Sequence, residues 1–141
     1  MNINTIHSLF LECTSVSTDT RKIEKDCFFV ALKGENFDAN TFAKEALEKG
    51  AKYVVIDNPQ YYIGETTILV ADSLTTLQEL AKFHRKQLET PIIALTGSNG
   101  KTTTKELINA VLSKRYNTTP TIGNLNNQIG VPLTLLRVTK D

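Results

Sequence analysis

Ile92-Ile93-Ala94-Leu95-Thr96-Gly97-Ser98-Asn99-Gly100-Lys101-Thr102-Thr103-Thr104-Lys105 is the stretch whose reading decides the fold. It opens on an apolar, β-branched run short enough for a buried strand. Two glycines separated by small polar residues follow. Leu107, Ile108, Val111 and Leu112 then recur at helical spacing. Strand, glycine turn and helix form a layout that holds phosphate. Backbone N–H groups of the loop and helix N-terminus point at an anion, and the helix dipole favours negative charge there. Lys101, just inside the helix, supplies a full positive charge for the outer phosphates. The Thr102 hydroxyl beside it is a hard oxygen ligand suited to Mg²⁺. The general pattern G-x-x-x-x-G-K-[ST] asks for glycine at position 95, where this chain has Leu95, leaving Gly97-x-x-Gly100-Lys101-Thr102. The plainer alternative is a glycine turn with Lys101 solvated. The strand and helix patterns on either side favour phosphate.

Outward from this stretch, 141 residues suffice for one ordinary domain, or for a small domain plus part of another. Hydrophobic content of 40% and charged content of 22% read as globular. A net charge of +1, with no basic run interleaved with aromatics, argues against a nucleic-acid platform or an anionic membrane surface. No apolar run approaches the ~18 residues of a membrane span. Met1-Asn2-Ile3-Asn4-Thr5 lacks the charged start and apolar core of a signal peptide. Cys13 and Cys27 form no C-x-x-C pair and are expected to be reduced and buried. The cytoplasm is the expected location.

The chain reads as an α/β protein. A short helix over residues 4–12 precedes a polar edge strand and turn over residues 14–21. Cys27 to Leu32 reads as a buried strand, Lys33 to Asn40 as a loop, and Thr41 to Lys49 as a helix closed by Gly50. Strands follow at Tyr53 to Asp57 and Thr67 to Val70. A helix capped by Asp72 or Ser73 then runs to about Leu88, with Leu74, Leu77, Leu80, Ala81, His84 and Leu88 as its stripe. Glu89-Thr90-Pro91 makes a joint, dividing the chain into units 1–88 and 89–141. The second unit is expected to hold a strand–helix–strand, with its second strand over Arg115 to Pro120. Pro132 fits the first position of a further helix. So small a second unit is marginal by itself, and the chain is expected to be the front of a longer protein.

Two loops extend the reading. Thr96 to Lys105 resembles the short G-x-x-G-K-T loop of the Mur ligase family, in which position 95 need not be glycine. Gly123-Asn124-Leu125-Asn126-Asn127-Gln128-Ile129-Gly130-Val131-Pro132-Leu133-Thr134-Leu135-Leu136 resembles the G-N-L-N-N-x-I-G-V-P-x-T-L-L signature of one branch of that family. Ser17-Thr18-Asp19-Thr20-Arg21 resembles its S-x-D-[ST]-R turn. Phe29 to Phe42 resembles its F-x-A-L-x-G-x-x-x-D-G-H-x-F segment, with Ala39 and Asn40 standing where that pattern has Gly-His.

The resemblance implies an ATP-dependent, Mg²⁺-requiring ligase of peptidoglycan precursor synthesis. That branch joins D-alanyl-D-alanine to UDP-N-acetylmuramoyl-tripeptide through an acyl phosphate. It implies a small N-terminal α/β domain for the UDP substrate (1–88), followed by the start of a P-loop-type ATPase domain (89–141). Thr96, Gly97, Ser98, Asn99, Gly100, Lys101, Thr102 and Thr103 would hold the nucleotide. Lys101 would be catalytic and Thr102 the metal ligand. Asp19, Thr20, Arg21, Lys33, Gly34, Asn40, Asn124, Asn126 and Asn127 would hold the muramoyl substrate. The resemblance puts the remaining metal ligands, a carbamylated lysine and the adenine pocket after Asp141. It implies a monomeric full-length enzyme, with this stretch inactive alone.

Each assignment has a plainer counterpart. Arg21 beside Asp19 could be a local surface ion pair, and the asparagines could be loop formers. His84 and His7 read as core-edge residues rather than ligands, and Lys105 and Glu106 as solvated. Rival functions are another amino-acid ligase of the same pathway, a folate polyglutamate ligase, a non-catalytic nucleotide-sugar module, or a P-loop kinase or GTPase. The Gly123-to-Leu136 stretch discriminates against the first two.

Overall fold

A computed structural model of the chain describes residues 1–140. Helix α1 (Ile3–Leu11) starts where the Asn2 side chain accepts from the Thr5 amide at 2.9 Å. Strand β1 (Val16–Ser17) leads into a short 3₁₀ turn, Thr20–Lys22, capped by Asp19. Strand β2 (Phe28–Val30) is buried on both faces. Strands β3 (Lys33–Gly34) and β4 (Phe37–Asp38) form a small antiparallel hairpin where the sequence reads as loop. Turn formers fill that segment, so periodicity carries no strand signal there.

A 3₁₀ turn, Ala39–Phe42, runs into α2 (Ala43–Glu48), and Gly50 follows with a φ of +113°. Strand β5 (Tyr53–Ile56) is broken by Asn58-Pro59, and β6 (Thr67–Leu69) completes the sheet. Helix α3 (Ser73–Lys86) is capped by Asp72, whose carboxylate accepts from the Thr75 amide at 2.6 Å. Helix α4 (Lys101–Leu112) and helix α5 (Gly130–Leu136) follow.

The sheet order is β1-β2-β5-β6, and every pairing is parallel. Such a sheet must be covered on both faces, and the strand sequences divide accordingly. Phe28, Val30 and Val55 point toward α1 and α3, packing with Ile6, Phe10, Leu77, Leu80 and Ala81. Phe29, Val54 and Ile56 point the other way, onto α2, where Ala43 and Ala46 let the helix approach closely. Leu136 of α5 joins the first of these layers, so the last helix packs back onto α3.

Asn40 and Asp57 lock the ends of these layers together. Asn40 is 0% exposed. Its amide nitrogen donates to Asp38 at 2.6 Å and to Asp57 at 2.8 Å, and its oxygen accepts from the Asp57 amide at 2.9 Å. Asp57 also accepts from the Ser73 amide and pairs with Lys33 at 2.8 Å. Burial pushes the Asp57 carboxyl up, but Lys33, the Ser73 amide and Asn40 outweigh it and hold its pKa below the ordinary value. Both thiols are free; Cys27 is buried as expected, whereas Cys13 is only half-buried, and burial pushes its thiol up to about 11. No helix among the described residues is long and apolar enough to cross a membrane.

The expected strand–helix–strand of the second unit is corrected. Its helix forms, as α4, but neither Ile92 to Leu95 nor Arg115 to Pro120 is a strand. A strand exists only through a paired neighbour, and no described residue pairs with either segment. Pro132 is the third residue of α5 rather than the first. The Asn127 side chain starts that helix earlier, by accepting from the Ile129 and Gly130 amides at 3.1 and 2.8 Å. Proline is tolerated at the third position because the first-turn N–H groups have no intrahelical partner.

Candidate nucleotide and substrate sites

The phosphate-loop candidate is built by two glycines. Gly97 and Gly100 have φ of +150° and +78°, values that L side chains rarely adopt. Gly100 is the residue from which α4 starts. A Cβ there would meet nothing within 4 Å, so backbone conformation, not space, calls for glycine. Lys101 begins the helix, and its ammonium folds back to donate to the Gly97 carbonyl oxygen. Its charge therefore stands over the loop. Thr96, Ser98, Asn99 and Thr103 are exposed along the same bend. The amides of the first helical turn have no partner inside the helix, and they face the same side as the dipole's positive end.

The asparagine loop lies against this bend. Thr102 Oγ1 donates to Asn124 Oδ1 at 3.4 Å. One turn further along α4, Lys105 Nζ donates to the carbonyl oxygens of Thr121 and Gly123, both at 2.8 Å. The expectation of a solvated Lys105 is thus overturned: its side chain is 16% exposed and ties the two loops together. The three asparagines separate by task. Asn124 faces Thr102, Asn126 is exposed, and Asn127 spends its side-chain oxygen on the start of α5. Gly130 is needed there because a Cβ would lie 2.6 Å from the Leu125 carbonyl oxygen. A hard cation fits the donors at this junction, since the Thr102 hydroxyl and the Asn124 amide oxygen are both oxygen ligands.

A second concavity of about 470 Å³ opens beyond the C-terminal ends of β1 and β2. In open parallel sheets that is where ligands bind. Thr18, Asp19, Thr20 and Arg21 form one wall; Phe29, Phe37, Ala39 and Phe42 form the rest. Asp19 accepts from the Arg21 backbone amide at 2.9 Å, and its carboxylate grips the guanidinium through Nε at 3.0 Å and Nη2 at 2.8 Å. The hydrogen bonds from Arg21 hold the Asp19 carboxyl at about 2. The plainer ion pair is therefore present, with the Arg21 fork held on the cleft wall. Phe37 and Phe42 stack with ring centroids 5.8 Å apart, and Phe37 is more than half exposed.

The remaining predicted contacts fall elsewhere. Asn40 is buried with both ends of its amide engaged, so it has no surface to offer a substrate. Lys33 is turned to Asp57, and Gly34 sits on the hairpin rim outside the cleft lining. Phe37 lies in the Lys33-to-Asn40 loop but is not singled out by the sequence, where its only signal is an aromatic among turn formers. His7 and His84, 77 positions apart, meet at 3.0 Å between Nε2 and Nδ1. Among the described residues no group of three or more His, Cys, Asp or Glu could hold a metal ion.

Fold and site together define a class, an α/β protein with a glycine-built bend at the head of a helix. The chain belongs to the Mur ligase family. The family's catalytic-domain model matches residues 12–85, and the Mur ligase middle-domain model matches residues 95–141. The UDP-N-acetylmuramoyl-tripeptide–D-alanyl-D-alanine ligase of Bacillus subtilis is 50% identical over 123 residues, covering 86% of this chain and 27% of the relative. The ligase of the same name from Escherichia coli is 48% identical over 127 residues, covering 90% and 28%. Among solved structures, MurF from Acinetobacter baumannii superposes with a TM-score of 0.79 at 34% identity, over 99% of this chain and 33% of that one. MurF from Thermotoga maritima, in complex with ADP, gives 0.75 at 31% identity, over 89% and 29%. The chain thus spans between about a quarter and a third of the relatives it matches.

Proposed function

We propose that this chain is the N-terminal part of an ATP-dependent ligase that joins D-alanyl-D-alanine to UDP-N-acetylmuramoyl-tripeptide. The substrate carboxylate takes the γ-phosphoryl group of ATP, releasing ADP. The dipeptide amine then attacks the acyl phosphate, forming the amide and releasing phosphate and a proton. The observation that carries this reading is the approach of Thr102 Oγ1 to Asn124 Oδ1, which joins the nucleotide loop to the substrate loop. Phosphoryl transfer depends on positioning and charge neutralisation, and the loop supplies both.

In this reading the bend from Thr96 to Thr103 cradles the phosphates, and Lys101 moves from the Gly97 carbonyl onto the β/γ oxygens. Thr102 holds Mg²⁺, which when bound neutralises charge on the phosphates. Asn124 and Asn126 face the muramoyl peptide, while Asn127 shapes their loop. Asp19, Thr20 and Arg21 hold the UDP part in the cleft; Lys33, paired with Asp57, and Gly34, outside the lining, belong to the hairpin beside it, and Asn40 leaves the set because it is buried. Residues 1–88 form the substrate domain and 89–141 the start of the ATP domain, a division supported by family matches that end at 85 and resume at 95. The enzyme works as a cytoplasmic monomer, without nucleic acid or membrane insertion.

The test is Lys101→Ala in the full-length protein, with Mg-ATP and UDP-muramoyl-tripeptide titrated separately. ATP affinity is expected to fall at least tenfold while substrate affinity holds. Unchanged ATP affinity overturns the phosphate assignment. The 141-residue chain alone is expected to turn nothing over.

A further inference from the structure

We propose that Lys105 is a positioning residue that sets the register between the nucleotide loop and the asparagine loop. The inference rests on the functional reading above and deepens it. A lysine ammonium has three donors and no acceptor. Here three acceptors surround it: the Thr121 carbonyl at 2.8 Å, the Gly123 carbonyl at 2.8 Å and the Glu106 carboxylate at 3.0 Å. No donor is left over for a phosphate, which separates Lys105 from Lys101 although both are lysines of the same helix. Charge-assisted bonds of this kind are roughly twice as strong as neutral ones.

The two carbonyls belong to alternate residues and face one way. Between them, the Ile122 carbonyl accepts from the Leu125 amide at 3.2 Å, closing the turn. Gly123 sits at a φ of +54°. The next residue is Asn124, whose amide oxygen meets Thr102. Thr102 and Lys105 are three apart on α4 and so share a face, one turn from each other. Lys105 grips the backbone just before Asn124, and that grip fixes where Asn124 meets the metal-binding hydroxyl. Beyond Asn127 the loop is held on the other side, since the Gln128 carbonyl accepts from Gln78 of α3 at 3.2 Å. The loop is thus strung between α3 and α4, with Lys105 as its tie to α4.

Two measurements test this. In the 141-residue chain, hydrogen exchange of the Leu125 and Asn126 amides is expected to speed up at least tenfold in Lys105→Met, with α3 amides unchanged. In the full-length protein, Lys105→Met is expected to raise KM for the muramoyl substrate at least tenfold and to lower kcat. Affinity for Mg-ATP should stay within twofold, and Lys105→Arg should recover most of the loss. Should Lys105→Met also lose α3 protection, Lys105→Gln replaces it in both measurements. Unchanged loop exchange overturns the proposal. So does a loss of ATP affinity matching that of Lys101→Ala, which would make Lys105 a phosphate ligand. Failure of the wild-type protein to ligate D-alanyl-D-alanine overturns the functional reading instead, and the exchange measurement then still decides whether Lys105 anchors the loop.

Discussion

Helices α3 and α4 carry similar amphipathic patterns and end in opposite environments. Leu77, Leu80, Ala81 and His84 of α3 are buried against the sheet and α1. On α4 no residue is buried, and Leu107 and Val111, one turn apart, are 63% and 70% exposed. The difference lies in what each helix has to pack on. Four paired parallel strands stand beneath α3, whereas the apolar run before α4 pairs with nothing among the described residues. An apolar face stabilises a helix only where a partner surface removes it from water. Yet α4 starts from the Gly97-to-Gly100 bend proposed to hold phosphate, so in that reading the better-packed region is scaffold and the worse-packed one carries the nucleotide site.

The contrast can be broken or sharpened by substitution. Leu80→Ala is expected to cost about 2–5 kcal/mol in denaturant unfolding, because a fully buried side chain leaves a cavity under the sheet. A cost near zero would mean that the layer between α3 and the sheet is not tight. Asn40→Ala comes next, at about 2–3 kcal/mol, since it strands the buried Asp57 carboxylate and removes a bond to the half-buried Asp38. Retention of full stability would remove Asn40 from its structural role and reopen it as a substrate contact.

A smaller effect comes from pH. Burial first, then the charges of His84 and Lys140, lower the pKa of His7 below its ordinary 6.5. The fold prefers neutral His7, so the unfolded chain binds the proton more readily. Stability from this group is therefore full above about pH 6.5 and is lost as pH falls below it. Melting temperatures at pH 7.5 and 5.5 should show the drop, and His7→Phe should shrink it. The smallest effect is that of Val111→Ala, expected to stay within about 0.5 kcal/mol in this chain. A large loss there would show that α4 is packed after all, and the contrast with α3 would disappear.

Much of the first region was legible because its strands are buried on both faces and its helices carry local stop and start signals. Asp72, Asn58 and Gly50 act within a few residues of themselves. The Gly97-to-Thr102 bend was legible for the same reason, since its shape depends on local backbone angles. The failures share the opposite cause. Ile92 to Leu95 has strand composition but no ladder. Asn40 looks like a loop residue and is a buried latch. Lys105 looks solvated and holds a loop 16 to 18 positions away.

The sequence by itself determined the α/β class, the order of the first region's main-sheet strands and helices and the bend at the head of α4, because short-range propensity and glycine conformation decide these. Only the tertiary structure decided which polar side chains are spent on holding the fold and which are left exposed. Asn40, Asn127 and Lys105 have the composition of binding or solvated residues, but a hydrogen bond is assigned by what lies within about 3 Å, and those partners come from elsewhere along the chain.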